Sequence, residues 1–284
     1  MPAIVDAHHH LLDPERIDYP FLKFLPDMKR FVGREELGSL ISSAGVDASV
    51  CVQAADCEDE TAFMLEQQAA SSFIAGVVGW LPLIDPEATA KSLERHRAAG
   101  SRLVGIRHLI HDYEDDDWIV QPPVLESLGL LAEAGVAFDL PAFRPRHLEH
   151  VPTIAAAAPD LDLVICHFGM PSANPDEWEP WASRFAEAAL APRCVVKVSG
   201  LDMYRGGCDV DAFRPYFDHA QRHFGCERMI WASNWPVSLQ LQGYAELLET
   251  ARRILADNSD AERAAIFGAN ADRVYRLGLQ EGDQ

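Results

Sequence analysis

The chain predicts a single (β/α)8 barrel, and three observations carry that expectation. Eight short Val/Ile/Leu-rich runs alternate with longer amphipathic stretches along the 284 residues. Such continuous apolar runs are how parallel strands buried on both faces read, and about 250 residues is the usual size of one barrel. The first run leads into histidines, where a doubly wound sheet would carry a glycine-rich phosphate turn.

Taken in order, the strand runs are Ala3–Ala7, Ala48–Gln53, Ile74–Trp80, Leu103–Arg107, Ala137–Leu140, Asp162–His167, Cys194–Ser199 and Met229–Ser233. The helical stretches between them are Asp59–Ser72, Pro86–Ala99, Pro122–Ala134, Arg144–Ala158, Asp176–Ala191, Asp209–Phe224 and Gly243–Ala256. A last helix, Asp260–Leu277, ends the pattern. Several begin near Pro or Asp, as helix N-termini do. The segment Leu11–Gly38 has no clear period and holds Pro14, Pro20 and Pro26. It reads as a long first βα loop over the barrel mouth. One barrel over residues 1–284 is expected.

Composition narrows the function. With 24 Lys+Arg and 44 Asp+Glu, the net charge is −20, and no basic cluster exceeds a dipeptide, which argues against nucleic acid. An anionic small substrate stays open, since a few Arg or Lys can dominate a cleft. No run reaches about 18 apolar residues, so no membrane span is expected. Met1–His10 lacks a basic n-region and an apolar h-region, so no signal peptide is expected there. The six cysteines, Cys51, Cys57, Cys166, Cys194, Cys208 and Cys226, form no C-x-x-C pair and read as free thiols of a cytoplasmic protein. Homo-oligomerisation is left open.

In such a barrel, chemistry sits at the C-terminal ends of the strands. There the sequence places His8, His9 and His10, then Gln53, Trp80, Arg107 with His108, His167, Lys197, and Asn234 with Trp235. His8 and His10 are spaced i, i+2 and share a strand face. Two imidazoles on one face suit a divalent metal or a pair of donors to a carbonyl. Arg107 can hold a carboxylate or polarise a carbonyl, or else pair with Asp6 or another acid at the rim. Gln53, Trp80, His108, Lys197 and Trp235 are expected substrate contacts. His219 and His223 are spaced i, i+4 but lie far from any strand end, and Ser199-Gly200 is not a nucleophile elbow.

With these residues placed, the chain resembles the amidohydrolase superfamily. Within it, it is similar to the amidohydrolase-2 branch that holds L-fuconolactonase-like sugar-lactone hydrolases and 2-pyrone-4,6-dicarboxylate lactonase. The resemblance rests on Asp6-Ala7-His8-His9-His10, Val104-Gly105-Ile106-Arg107-His108, His167-Phe168-Gly169-Met170-Pro171, Lys197-Val198-Ser199-Gly200-Leu201 and Ser233-Asn234-Trp235-Pro236-Val237. It implies a barrel hydrolase opening a lactone of a sugar acid or related small carboxylate. His8, His10, His167 and the strand-8 residue would be catalytic. It also implies that His8, His10 and His167 hold a single divalent metal, zinc or manganese, or else contact the substrate with Arg107. Two departures stand out. The strand-8 residue is Asn234 where the family has an Asp base, and an amide cannot take a proton from water near neutral pH. Cys166 stands where the family often has an Asp beside the strand-6 histidine. Lactone isomerisation, decarboxylation and a non-catalytic binding role therefore remain alternatives.

Overall fold

The computed structural model describes residues 3–172, 174, 176–202, 209–240 and 243–279; Cys208 lies outside them. Eight parallel strands follow one another in chain order around a (β/α)8 barrel. They are β1 Val5–His9, β2 Ala48–Val52, β3 Ile74–Gly79, β4 Leu103–Arg107, β5 Ala137–Leu140, β6 Leu163–Ile165, β7 Cys194–Val198 and β8 Met229–Trp231. Closure comes just past β8. His9 bridges Trp235, and the backbone N–H groups of Asn234 and His10 donate to His8 O (2.8 Å) and Trp235 O (2.7 Å). The strand-8 end is thereby fixed beside the histidines of β1.

The helices are α1 Arg34–Ala44, α2 Glu58–Ala69, α3 Pro86–Ala98, α4 Pro122–Ala134, α5 Pro145–Glu149, α6 Val151–Ala157, α7 Trp181–Ala188, α8 Val210–Phe224, α9 Tyr244–Ile254, α10 Asp260–Ala264 and α11 Asn270–Tyr275. Local chemistry sets their ends. Asp85 caps α3 by accepting from Ala88 N at 3.0 Å, and Ser259 and Glu262 form a reciprocal box on α10.

Four sequence expectations change. Leu11–Gly38 is not all loop, because α1 begins at Arg34 and buries Leu37 and Ile41. The rest is pinned by paired backbone bonds between Leu12 and Val32. The expected helix Arg144–Ala158 divides into α5 and α6, since Pro152 has no N–H for the Leu148 carbonyl. The expected helix Asp176–Ala191 is only Trp181–Ala188. The last helix passes through a π-helical turn at Ala265–Ala269. There a Cβ on Gly268 would lie 1.9 Å from Ala3 O, so the helix meets the chain's first strand at a bare glycine.

Apolar residues of the strands, among them Val50, Val52 and Val195, pack with Ala271, Val274 and Tyr275 of the last helix. A larger apolar layer joins the sheet to the surrounding helices. Among the described residues, no helix is long and apolar enough to cross a membrane.

Candidate active site

A cavity of about 280 Å³ opens at the C-terminal rim of the strands. Its wall is largely apolar, with Phe21, Phe24 and Phe143 among its members. Pro20 to Phe24 come from the first loop, and Leu109, His111 and Asp112 from the loop after β4. The polar floor is made by His10, Arg107, His167 and Asn234. His8 lies fully buried directly beneath, with its Nε2 3.1 Å from His10 Nε2 and 3.0 Å from Arg107 Nη1.

The partners of each ring assign its protons. Val52 O can only accept, so at 2.7 Å it requires the proton on His10 Nδ1 and leaves His10 Nε2 bare. Lys197 Nζ, 3.4 Å from His8 Nδ1, can only donate, which puts the His8 proton on Nε2, facing that bare nitrogen. The two rings are then matched donor to acceptor. Arg107 is the neighbour left over: a guanidinium has no lone pair to receive a hydrogen, and its Nε is buried without a partner. Arg107 itself lines the cavity.

Burial keeps these imidazoles neutral. It holds His8 and His167 well below the ordinary imidazole range, helped by the charges of Lys197 and Arg107. Burial and then Arg107 bring His10 to about 3, where an Asn234 hydrogen bond acts in the opposite sense. Neutral imidazoles are the form that serves as base, hydrogen-bond partner or metal ligand.

His167 differs from the other two. Its Nδ1 lies 2.8 Å from Ser199 Oγ, so the hydroxyl orients the ring and leaves Nε2 toward the cavity. Ser199 therefore does the orienting for which Cys166, in place of a carboxylate, is unsuited. The ring sits on an unusual backbone: His167, Phe168, Gly169 and Met170 all have positive φ, and so does Asn234 (57°). Left-handed non-glycine residues cluster where surrounding structure overrides local preference, often at functional sites. Gly200 completes the seat. Its φ is +76°, and a Cβ there would meet the His167 ring at 2.9–3.0 Å.

Beneath the floor lies a sealed layer. Lys197 pairs with Asp139 at 2.5 Å, and Asp139 also accepts from Tyr275 Oη at 2.7 Å. His8, Asp139 and Cys166 bring their ligand atoms within 4.8 Å of one another, a buried group of metal-ligating types. The donors fit a zinc-class ion by type: imidazole, carboxylate and thiol here, and the neutral imidazoles of His8, His10 and His167 on the cavity side.

Several expected contacts fall elsewhere. His108 is buried, with Nε2 2.7 Å from Leu81 O and its ring stacked on Trp118 and tilted against Trp80. Gln53 spans Asp56 and the Arg107 carbonyl, so it braces the β4 end from behind. Trp235 is fully buried beside β1. None of Gln53, Trp80, His108, Lys197 and Trp235 is among the residues that line the cavity. Arg107 does not pair with Asp6. A register shift between Asp6 and His9 turns Asp6 to Ser233 Oγ (2.6 Å) and Tyr244 Oη (3.0 Å) while His8 faces inward. His219 Nε2 donates to Ala182 O at 3.0 Å, within the helical layer. The sequence reading missed Ser199, Asp139 and Tyr275. An Asp in the apolar run Ala-Phe-Asp-Leu and a Lys in Cys-Val-Val-Lys-Val were the available signal, since buried charges demand opposite partners.

Known proteins align over the whole molecule. The amidohydrolase family model matches residues 5–277. An L-fucono-1,5-lactonase of Burkholderia ambifaria is 32% identical, over 99% of this chain and 98% of its own. An amidohydrolase of Burkholderia multivorans crystallised with bound zinc is 30% identical with a TM-score of 0.88, covering 97% of this chain and 99% of its own. A probable 2-pyrone-4,6-dicarboxylic acid hydrolase of Acinetobacter baumannii shares the fold at 17% identity and a TM-score of 0.78, covering 96% of this chain and 99% of its own. Barrel, rim histidines and full-length similarity agree: the chain belongs to the amidohydrolase family.

Proposed function

We propose that the protein is a hydrolase that opens the lactone ring of a sugar acid. One observation carries the reading. In a mostly apolar cavity, Arg107 and His167 converge on one polar floor, in a chain similar throughout its length to a sugar-lactone hydrolase. The cavity volume lies at the small end of ligand pockets and suits a single ring.

The lactone carbonyl oxygen faces Arg107, whose unsatisfied donors stabilise the oxyanion as water adds. His167 Nε2 takes the proton from the attacking water, with Ser199 Oγ holding the ring in place. Asn234 orients the water but takes no proton. The tetrahedral centre then expels the ring oxygen. His167 returns its proton to that oxygen, and the product is the open hydroxy acid. His8 and His10 keep the floor neutral and fixed. When a zinc-class ion is bound, His8, His10 and His167 hold it, and it supplies Lewis-acid polarisation of the carbonyl. The remaining substrate contacts come from the wall, whose Lys23 suits the carboxylate that ring opening releases.

The test is proton release on a panel of sugar-acid lactones, L-fucono-1,5-lactone included. Turnover of at least one is expected, and silence across the panel at high enzyme loading defeats the reading. Asn234 favours a second reading, isomerisation without net hydrolysis, since that reaction needs no base for water. Turnover in ¹⁸O-water separates them: one labelled carboxylate oxygen per product is expected, and unlabelled product selects isomerisation.

A further inference from the structure

The sealed layer contains a cation already. A ring nitrogen of His8, a carboxylate oxygen of Asp139 and Cys166 Sγ lie within 4.8 Å of one another, and all three residues are fully buried. Lys197 Nζ lies 2.5 Å from Asp139 Oδ2 and 3.4 Å from His8 Nδ1, with no solvent exposure of its own. Cys166 Sγ is 3.9 Å from the same carboxylate oxygen. The ammonium thus takes the place that an ion would occupy among imidazole, carboxylate and thiol ligands.

We propose that Lys197 is an internal cation that holds the His8–Asp139–Cys166 cluster against metal, and that removing its ammonium turns the cluster into a thiolate-bearing site for a zinc-class ion. Zinc ligands lie about 2.0–2.3 Å from the ion, so an ion among these three atoms overlaps the Nζ position. Asp139 cannot be buried with only the Tyr275 hydroxyl against it without large cost, so one cation must be present. Lysine fills that need within the chain. It also donates to His8 Nδ1, and so keeps the His8 proton on the Nε2 that faces His10. Metal and lysine therefore compete for one carboxylate and one imidazole.

The experiment titrates cobalt(II), which reports thiolate ligation by a charge-transfer band, into purified full-length protein. Wild type, Lys197→Met and Lys197→Met/Cys166→Ala are compared. Lys197→Met keeps the apolar stem and removes the charge. It is expected to gain the thiolate band and to bind cobalt on the order of 10²-fold more tightly than wild type, since the ion replaces a lost partner of a buried carboxylate. Its melting temperature should rise with cobalt, and the band should vanish when Cys166 is also replaced. If Lys197→Met does not fold, Lys197→Gln, whose amide still donates to Asp139, takes its place in the same titration. A wild-type protein with the same band and affinity overturns the proposal, and so does a folded variant with no thiolate band at millimolar cobalt. No substrate enters the assay, so its outcome is separable from that of the lactone assay.

Discussion

The two polar layers at the mouth of the barrel are built on opposite plans. The upper one, His10, Arg107, His167 and Asn234, meets the cavity, and its Arg107 Nε has no partner. The lower one, Asp139, Lys197 and Tyr275, is sealed, and its charges answer one another. Residues with spare donors and lone pairs can act on a substrate. Residues whose capacity is fully used hold the first set still. His8 belongs to both, with one ring nitrogen toward each layer.

That contrast breaks most sharply at His167. His167→Ala is expected to lower kcat on a responsive lactone by about 10²–10⁴-fold while leaving the unfolding midpoint nearly unchanged. Equal losses in both would place His167 with the lower layer. Asp139→Ala should do the reverse. Breaking the buried pair is expected to cost about 3–5 kcal/mol in urea unfolding, because Lys197 is left without its carboxylate. A loss under about 1 kcal/mol would mean that the sealed layer is not holding the barrel.

Gly200→Ala tests the join between seat and ring. The added methyl strains a left-handed backbone and presses on His167, so a loss of about 1–3 kcal/mol is expected together with about 10-fold lower kcat. The smallest effect is on pH dependence. Burial holds His9, His10 and His111 at about 3, below the ordinary 6.5, so the unfolded chain binds protons first. Stability is then complete above about pH 6.5 and is lost as pH falls toward 3. Thermal melts across that range should decline, and His111→Gln should flatten the decline slightly. A melting temperature that rises on acidification would contradict neutral burial.

Much of this molecule was legible in its sequence. The Val/Ile/Leu runs locate all eight strands because strands buried on both faces need apolar residues at nearly every position. His8, His10, Arg107 and His167 stand out because a strand end is a poor place for them without a task. The partners were not legible. Ser199, just past β7, reaches His167, just past the neighbouring β6, over 32 positions, and Tyr275 reaches Asp139 over 136. No periodicity encodes such pairings. Nor does alternation survive at β1, where the register shift turns Asp6 away from His8. The candidates His108 and Gln53 failed as cavity residues for a related reason: position at a strand end does not say which way the following turn aims a side chain.

The missing side chain of Gly200 has a consequence beyond its own loop. The segment after β7 lends His167 the volume its own side chain would have taken, so the loops after β6 and β7 are interlocked parts. Neither can be lengthened, grafted or exchanged alone without moving the imidazole. Anyone reshaping this mouth for another ring has free material in the first loop and the loop after β4, and must transplant His167 and Gly200 as one piece.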